Sequence, residues 1–240
     1  MLATGCATEF DELLDALRAF RLTIGDIRKA GGNESDIPKR ISSLLRAKGW
    51  NETRIKGDLV ITRVSGVGVY RGKTEIEGES EESESDTLER IEEFKKKGYS
   101  VENIVRENFL DGHKVDYIKR RVAFDLEWNS KDQTFDRDLY AFRAFHEFDL
   151  IDVAVLMTRS ASLNEVFEKL GPELDEKGNP RTDKRGKVKL IKTKYGASTT
   201  WMGKLLYRLN AGRHGGCPLL ALGITPNLIT DWEAHEEKHS

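Results

Sequence analysis

The sequence has few cysteines and no long apolar run. Only Cys6 and Cys217 occur among 240 residues, too few for a disulfide framework and compatible with a reducing cytoplasm. No run of about 18 apolar residues is present, so we expect no membrane span. The N-terminal residues offer neither a basic segment nor an apolar core, so we expect no secretory signal. These absences predict a cytoplasmic protein without membrane contact.

The charge of the chain is segregated along the sequence. A net charge of −2 is, by itself, unlike that of a nucleic-acid-binding protein. Residues 75–93, however, hold ten acids and one base, which leaves 38 bases against 31 acids elsewhere, a balance of +7. Residues 177–194 hold eight bases and one acid. Basic surface that can meet a polyanion is therefore available outside the acidic segment.

The most informative stretch runs from residue 113 to residue 143. Within it, apolar residues at every second position alternate with small or polar ones: Val122, Phe124, Leu126 and Trp128 against Ala123, Asp125, Glu127 and Asn129. This period predicts a strand with two unlike faces. Asp116 lies on the preceding extended segment and can converge with Glu127 and Asn129 on one point. Carboxylate oxygens suit Mg²⁺, and such a cation can activate water and neutralise charge on a phosphodiester.

The periodicity elsewhere predicts helices and strands in mixed order. Predicted helices occupy the following ranges: 9–20, 36–48, 86–97, 135–145, 162–170 and 202–209. Predicted strands occupy these ranges: 59–62, 115–118, 122–129, 151–158 and 217–224. Residues 65–86 and 171–194 are interpreted as loops because they are polar and rich in glycine or charge. With 240 residues, one α/β domain with a mixed central sheet flanked by helices is expected.

Three ordered segments resemble a known nuclease family. Asp116, Glu127 and Asn129 resemble the PD-(D/E)XK nuclease pattern, with Asn in place of the usual Lys. The run Glu-Trp-Asn-Ser-Lys-Asp at 127–132, followed by Phe-Asp-Arg-Asp-Leu, resembles the BglII/BstYI-type restriction endonucleases. Residues 194–206 and 215–224 resemble the same family. The resemblance implies a PD-(D/E)XK restriction-endonuclease-like core for the single domain 1–240.

The resemblance also implies an activity and its residues. It implies a homodimeric type II restriction endonuclease that uses Mg²⁺ and cuts a short palindromic duplex site, with a cognate methyltransferase in the same system but no direct contact implied. Asp116 and Glu127 would bind the metal, with Asp125 as an alternative to Asp116. Asn129 would orient water or phosphate through hydrogen bonds, because an amide is neither a base nor charged. Members of the family pass more directly between the early strands, so residues 66–100 are interpreted as an acidic insertion.

Candidate DNA contacts lie on both sides of the predicted site. The resemblance places base-reading residues at Lys131 and Asp132, which have suitable groups for guanine and cytosine edges; a solvated turn is the alternative. Further candidates for phosphate or base contacts are Arg137, Ser198, Thr199, Thr200, Lys189, Lys192 and Lys194. For the three hydroxyl residues the alternative is capping of the following helix. For Arg137, a contact with the other subunit is the alternative.

Two other functions stay open from the sequence alone. The first is a structure-specific or repair nuclease on the same core. The second is a DNA-binding module without catalytic activity. The intact Asp116, Glu127 and Asn129 pattern speaks against the second, and cleavage of plasmid DNA into distinct bands would separate all three.

Overall fold

A computed structural model describes residues 2–29, 36–65 and 84–239 of the chain. These residues form two compact units, one from 1–54 with 114–240 and the other from 55–113. Most of the loop predicted at 65–86, and much of the predicted insertion, lie outside the described residues. Among the residues described, no helix is long and apolar enough to cross a bilayer.

The described elements follow the mixed order that the periodicity predicts. The α-helices are α1 (Leu2–Gly5), α2 (Ala7–Ala19), α3 (Ile24–Arg28), α4 (Asp36–Arg46), α5 (Glu84–Lys96), α6 (Thr134–Glu147), α7 (Leu163–Lys169), α8 (Ile191–Lys194), α9 (Met202–Asn210) and α10 (Trp232–His239), with a 3₁₀ helix at Pro226–Leu228. The strands are β1 (Asn51–Ser65), β2 (Ser100–Lys119), β3 (Val122–Glu127), β4 (Val153–Arg159) and β5 (Leu219–Ile224). The predicted α/β class is therefore correct.

The strands form one mixed sheet in the order β1-β2-β3-β4-β5. β2 pairs with β3 antiparallel, and Tyr117 lies opposite Phe124. β3 pairs with β4 in parallel, as does β4 with β5. The register places Glu127 beside Thr158. The sheet thus carries the end of β3 next to the end of β4, which is where the candidate site lies.

Burial on both faces explains the composition of the central strands. All residues of β3 and β4 are buried, as expected for parallel strands covered on both sides. Val122, Phe124 and Leu126 belong to a core cluster that also contains buried residues of α2, α4 and α7. The alternate residues of β3 point to the opposite face, and there Glu127 meets α6 through Thr134. The face predicted to be polar is consequently covered by a helix rather than by water.

Three regions are more regular than the sequence predicts. β1 spans 15 residues instead of the predicted 59–62, and most of its residues are exposed or half-buried. β2 spans 20 residues and begins at Ser100. Long strands with little burial lack the apolar alternation on which the prediction depends. The segment 171–194, predicted to be a loop, contains bridges from Pro172 to Leu190 and from Thr182 to Val188, and ends in α8.

Candidate active site

Glu127 is the last residue of β3 and is anchored through its backbone. Its carbonyl oxygen accepts hydrogen bonds from the hydroxyls of Thr158, at 2.7 Å, and Thr200, at 3.2 Å. Its side chain is 8% exposed, and Oε2 accepts from Thr134 Oγ1 at 3.4 Å. Glu127, one of the predicted metal ligands, is therefore held by three different segments at the end of the sheet.

The antiparallel pairing of β2 with β3 brings Asp116 to the same site. The Asp116 amide donates to Asp125 Oδ1 at 2.6 Å, and Asp116 Oδ2 accepts from the Leu126 amide at 3.4 Å. The two strands thus exchange bonds through their aspartate side chains. Asp116 is exposed at the surface whereas Asp125 is buried, so Asp116 is the more accessible of the two candidate ligands.

A fourth carboxyl group, that of Asp138 on α6, completes the cluster. Asp138 is 1% exposed and shares a hydrogen bond with the carboxyl of Glu127. One of its oxygens lies within 4.8 Å of a carboxylate oxygen of Asp125. Asp138 is not among the candidate site residues that the sequence indicates. Its spacing from Phe135 and Phe142, three and four residues away, indicates the buried face of the helix and could have identified it.

The four carboxyl groups of this cluster all have raised pKa values. Loss of hydration around the carboxyl group is the main cause for each, including Asp116, whose residue is exposed while its carboxyl group is enclosed by neighbouring protein atoms. Burial and the Glu127 charge raise the pKa of Asp138 to about 7. Burial, with the charges of Asp116 and Asp138, raises the pKa of Asp125 well above its usual range. Without a cation, the cluster therefore retains protons at a pH where isolated carboxyl groups have lost theirs.

The two segments predicted to read bases lie side by side. The Asp132 amide donates to the Ser198 carbonyl at 3.0 Å, and the Thr200 amide donates to the Ser130 carbonyl at 2.9 Å. Lys131 and Thr199 form an antiparallel bridge between these bonds. Residues 130–132 and 198–200, hereafter the junction, thus form one surface directly beyond Glu127.

One known protein family matches most of the chain. The family model described as Restriction endonuclease BglII/BglIII matches residues 1–224. The chain belongs to this family. It has no significant match among curated proteins. The family match confirms the predicted restriction-endonuclease-like core and identifies the protein as a site-specific deoxyribonuclease, which favours that function over the two alternatives.

In this BglII/BglIII-family endonuclease the donor atoms fit a divalent cation. Restriction endonucleases generally use one, and clustered carboxylates with raised pKa values gain stability when positive charge is added. Asn129 supplies a further observation, because its Oδ1 is buried and has no hydrogen-bond partner among the described residues. An amide oxygen without a partner is unusual in a folded protein. It is available as an acceptor for a bound water or as a ligand.

The junction of the endonuclease exposes some predicted contact residues and buries others. Ser198 is exposed and Thr199 half-buried, whereas Thr200 is fully buried with its hydroxyl bonded inside the protein. The Asp132 carboxylate pairs with Lys204 at 3.3 Å and lies 3.8 Å from Arg208. The expected capping role of the hydroxyls is wrong, because α9 begins after Trp201 and has no side-chain cap.

The basic candidates of the endonuclease also divide into two groups. Lys131, Lys189 and Lys192 are exposed. Arg137 bonds to Asp138 at 3.1 Å while its side chain remains 60% exposed. The Lys194 ammonium instead donates to the backbone carbonyls of residues 27 and 29. Lys194 therefore fastens the basic segment to the fold, whereas the others present charge to solvent.

Proposed function

We propose that the protein is a type II restriction endonuclease that hydrolyses phosphodiester bonds at a short palindromic site in double-stranded DNA, with Mg²⁺ as cofactor. One observation carries this proposal. The carboxylate cluster at the end of β3 continues directly into the junction, in which Lys131 and Ser198 are exposed and Thr199 is half-buried. Catalytic groups and groups able to read bases therefore belong to one rigid surface.

In the proposed mechanism, Asp116 and Glu127 would hold Mg²⁺, with Asp125 as the alternative to Asp116. Bound Mg²⁺ would supply an activated water and neutralise charge on the phosphate. Asn129 offers its unpaired amide oxygen to position the water, and its NH₂ group can donate to phosphate. Glu127 keeps its orientation through Thr134, and its hydrogen bonds to Ser130 and Asp138 partly offset the cost of its burial. Because Asn129 replaces the usual Lys, no side chain of the pattern acts as a cationic partner for the water.

The proposed DNA contacts follow the exposure of the side chains. Lys131, Ser198 and Thr199 are proposed to reach base edges, together with Asp132 once its pairing with lysine and arginine is exchanged for a base. Thr200 contributes by holding the junction. A second set is proposed to contact phosphates, which set register rather than specificity: Arg137, Lys189 and Lys192. Lys194 is proposed to support these contacts by holding the basic segment against the backbone of residues 27 and 29.

A homodimer is proposed because a palindrome presents the same half-site twice. Large apolar residues are exposed on two helices that contact each other: Tyr140 on α6 is 64% exposed, and Leu206 and Tyr207 on α9 are 45% and 67% exposed. Such residues on neighbouring helices are suited to cover a second copy. Sedimentation on cognate DNA should give a protein mass of twice 27.2 kDa, and a monomer both free and on DNA would contradict the proposal.

Three further properties are proposed. The acidic segment at about 66–100 is proposed to be an insertion within the single endonuclease domain 1–240, placed away from DNA because like charges repel. A cognate methyltransferase is proposed in the same system, without direct contact with this protein. A cytoplasmic location is proposed because Cys6 and Cys217 are free and buried.

Digestion of one sequenced plasmid tests the proposed function. With Mg²⁺, discrete fragments whose ends share one palindromic sequence are expected, and EDTA should abolish them. Cleavage only at branched or damaged positions would instead favour the repair nuclease. Intact plasmid after prolonged incubation with several candidate DNAs, with Mg²⁺ or Mn²⁺, would contradict the proposal.

A further inference from the structure

Arg159, the last residue of β4, is a charged side chain in the interior of the protein. It is among the largest fully buried side chains, with a relative exposure of 0%. Within the ranges described, no carboxylate lies within ion-pair distance of its guanidinium. Burial of a charge without a counter-ion lowers the stability of the fold. If the position served only to fill the core, an apolar residue of similar size would give a more stable protein. The position therefore calls for a role that needs the guanidinium group.

The hydrogen bonds of Arg159 connect the catalytic strand with the junction. Its Nε donates to the carbonyl oxygen of Trp128, the residue directly after Glu127, at 2.8 Å. Its Nη2 donates to Thr199 Oγ1 at 2.6 Å and to the Thr200 carbonyl at 2.7 Å. One planar group thus spans the two segments that the proposed function assigns to catalysis and to base reading.

Aromatic rings fix the orientation of this group. The guanidinium carbon lies 5.0 Å from the centre of the Tyr195 ring, 5.3 Å from that of Phe167 and 6.0 Å from that of Trp128. Cation–π attraction of this kind partly compensates the missing counter-ion. The remaining nitrogen, Nη1, is buried and has no hydrogen-bond partner in the part of the chain that the structure describes. The group is therefore held by three acceptors and three rings and has little freedom to move alone.

We propose that Arg159 is a positioning residue that couples base reading at Thr199 to the placement of the Glu127 carboxylate. This inference rests on the proposed function. A base pair that displaces Thr199 also displaces the Arg159 guanidinium, because the two are hydrogen-bonded. The guanidinium in turn displaces the Trp128 carbonyl, which lies next to Glu127. A displacement of about 1 Å in a catalytic group is sufficient to slow a reaction by roughly a hundredfold. Cleavage would then depend on correct reading, even though Arg159 touches neither DNA nor metal.

The test compares Arg159→Lys with the matched control Arg121→Lys. Lysine keeps the charge but is a compact donor that cannot reach all three acceptors with fixed geometry. Arg121 lies at the opposite end of β3, where it bonds to Asp149 and Asp152, and its substitution tests for a general effect of losing an arginine. Single-turnover rates are measured on a cognate duplex and on a duplex with one mismatched base pair.

For Arg159→Lys, the cognate rate should fall about ten- to a hundredfold, while the mismatched rate falls by less than about threefold. The ratio of the two rates therefore shrinks, and Arg121→Lys should leave it unchanged. An equal fall in both rates leaves their ratio unchanged and would overturn the proposal, because a merely structural role lowers both rates by the same factor.

Amide exchange in the free protein gives a readout that needs no DNA. The Thr200 and Asp132 amides should exchange at least about tenfold faster in Arg159→Lys than in the wild type, while the Leu156 amide in mid-β4 is unchanged. If Arg159→Lys does not fold, Thr199→Val removes one acceptor and should accelerate the same two amides. Unchanged exchange at both would refute the coupling. Failure of the wild type to cut DNA would instead refute the proposed function and leave the exchange test intact.

Discussion

The substitution Asp138→Asn tests the buried carboxyl cluster in the absence of metal. Burial and the Glu127 charge raise the pKa of Asp138 from 3.8 to about 7. A raised pKa means that the carboxyl contributes stability below its unfolded pKa and loses that contribution as the pH rises through its folded pKa. With ~1.4 kcal/mol for each tenfold change in the protonation equilibrium, this rise in the pKa means that ionised Asp138 destabilises the fold by up to roughly 4 kcal/mol. Asparagine has a similar shape and stays neutral at every pH.

Urea unfolding in EDTA at a series of pH values measures the effect. Near pH 8, Asp138→Asn should be more stable than the wild type by up to roughly 4 kcal/mol. This advantage should shrink as the pH falls towards about 4, because the wild-type carboxyl is then protonated when folded. The variant should also gain less stability than the wild type from an added divalent cation, since it has one negative charge fewer to neutralise.

A neighbouring aspartate provides a control of opposite sign. Asp136 bonds to Arg208 at 2.9 and 3.0 Å and to Arg213, and these partners lower its pKa. Its contribution to stability is therefore present above its unfolded pKa and is lost in acid. Asp136→Asn should destabilise the protein at pH 8 and do so less at pH 3. If Asp138→Asn instead destabilises the protein equally at pH 8 and pH 4, its pairing with Arg137 outweighs burial and the reasoning is refuted.

Three further predictions concern DNA. Asp132→Ala and Thr199→Ala should each lower cognate cleavage about ten- to a hundredfold and reduce discrimination against a one-base mismatch, because a good base contact is worth ~1–3 kcal/mol; retained rate and discrimination would make the junction purely structural. Lys189→Ala should weaken binding to all sequences alike and flatten the salt dependence measured by titration at several salt concentrations, and an unchanged slope would remove Lys189 from the interface. Deleting about 72–84 should leave cleavage intact or strengthen non-specific binding, whereas complete loss in a folded deletion variant would refute the placement of the insertion.

Elements that bury an apolar face could be predicted from the sequence. The alternation at 122–129 and the apolar run at 151–158 identify β3 and β4, which the structure ends at Glu127 and Arg159. The helical spacing of Phe135, Leu139 and Phe142 likewise identifies α6. In these elements the type of secondary structure that the local periodicity predicts is also the one that buries the apolar residues in the core. The weakly buried halves of β1 and β2 have no such signal, and their extent could not be predicted.

The convergence of two candidate residues was predictable from the sequence, but the contacts that hold the site together were not. Asp116 and Glu127 meet because neighbouring strands carry them, which the local pattern indicates. Asp138 arrives from a helix, and its role depends on how that helix packs on β3. The burial of Thr200 and the bonds of Arg159 join segments about 40 to 70 residues apart. Such contacts are set by tertiary packing, and no local property of the sequence specifies them.

The most direct test of the account is cleavage by Glu127→Ala. Cognate DNA is incubated with Mg²⁺ to measure cleavage, and binding is measured separately with Ca²⁺. Glu147→Ala serves as a control, because Glu147 lies at the exposed end of α6 and pairs only with Arg143 among the described residues. We expect Glu127→Ala to bind the cognate site without cutting it, and Glu147→Ala to bind and cut as the wild type does. Cleavage by Glu127→Ala at near wild-type rate would contradict the assignment of the active site.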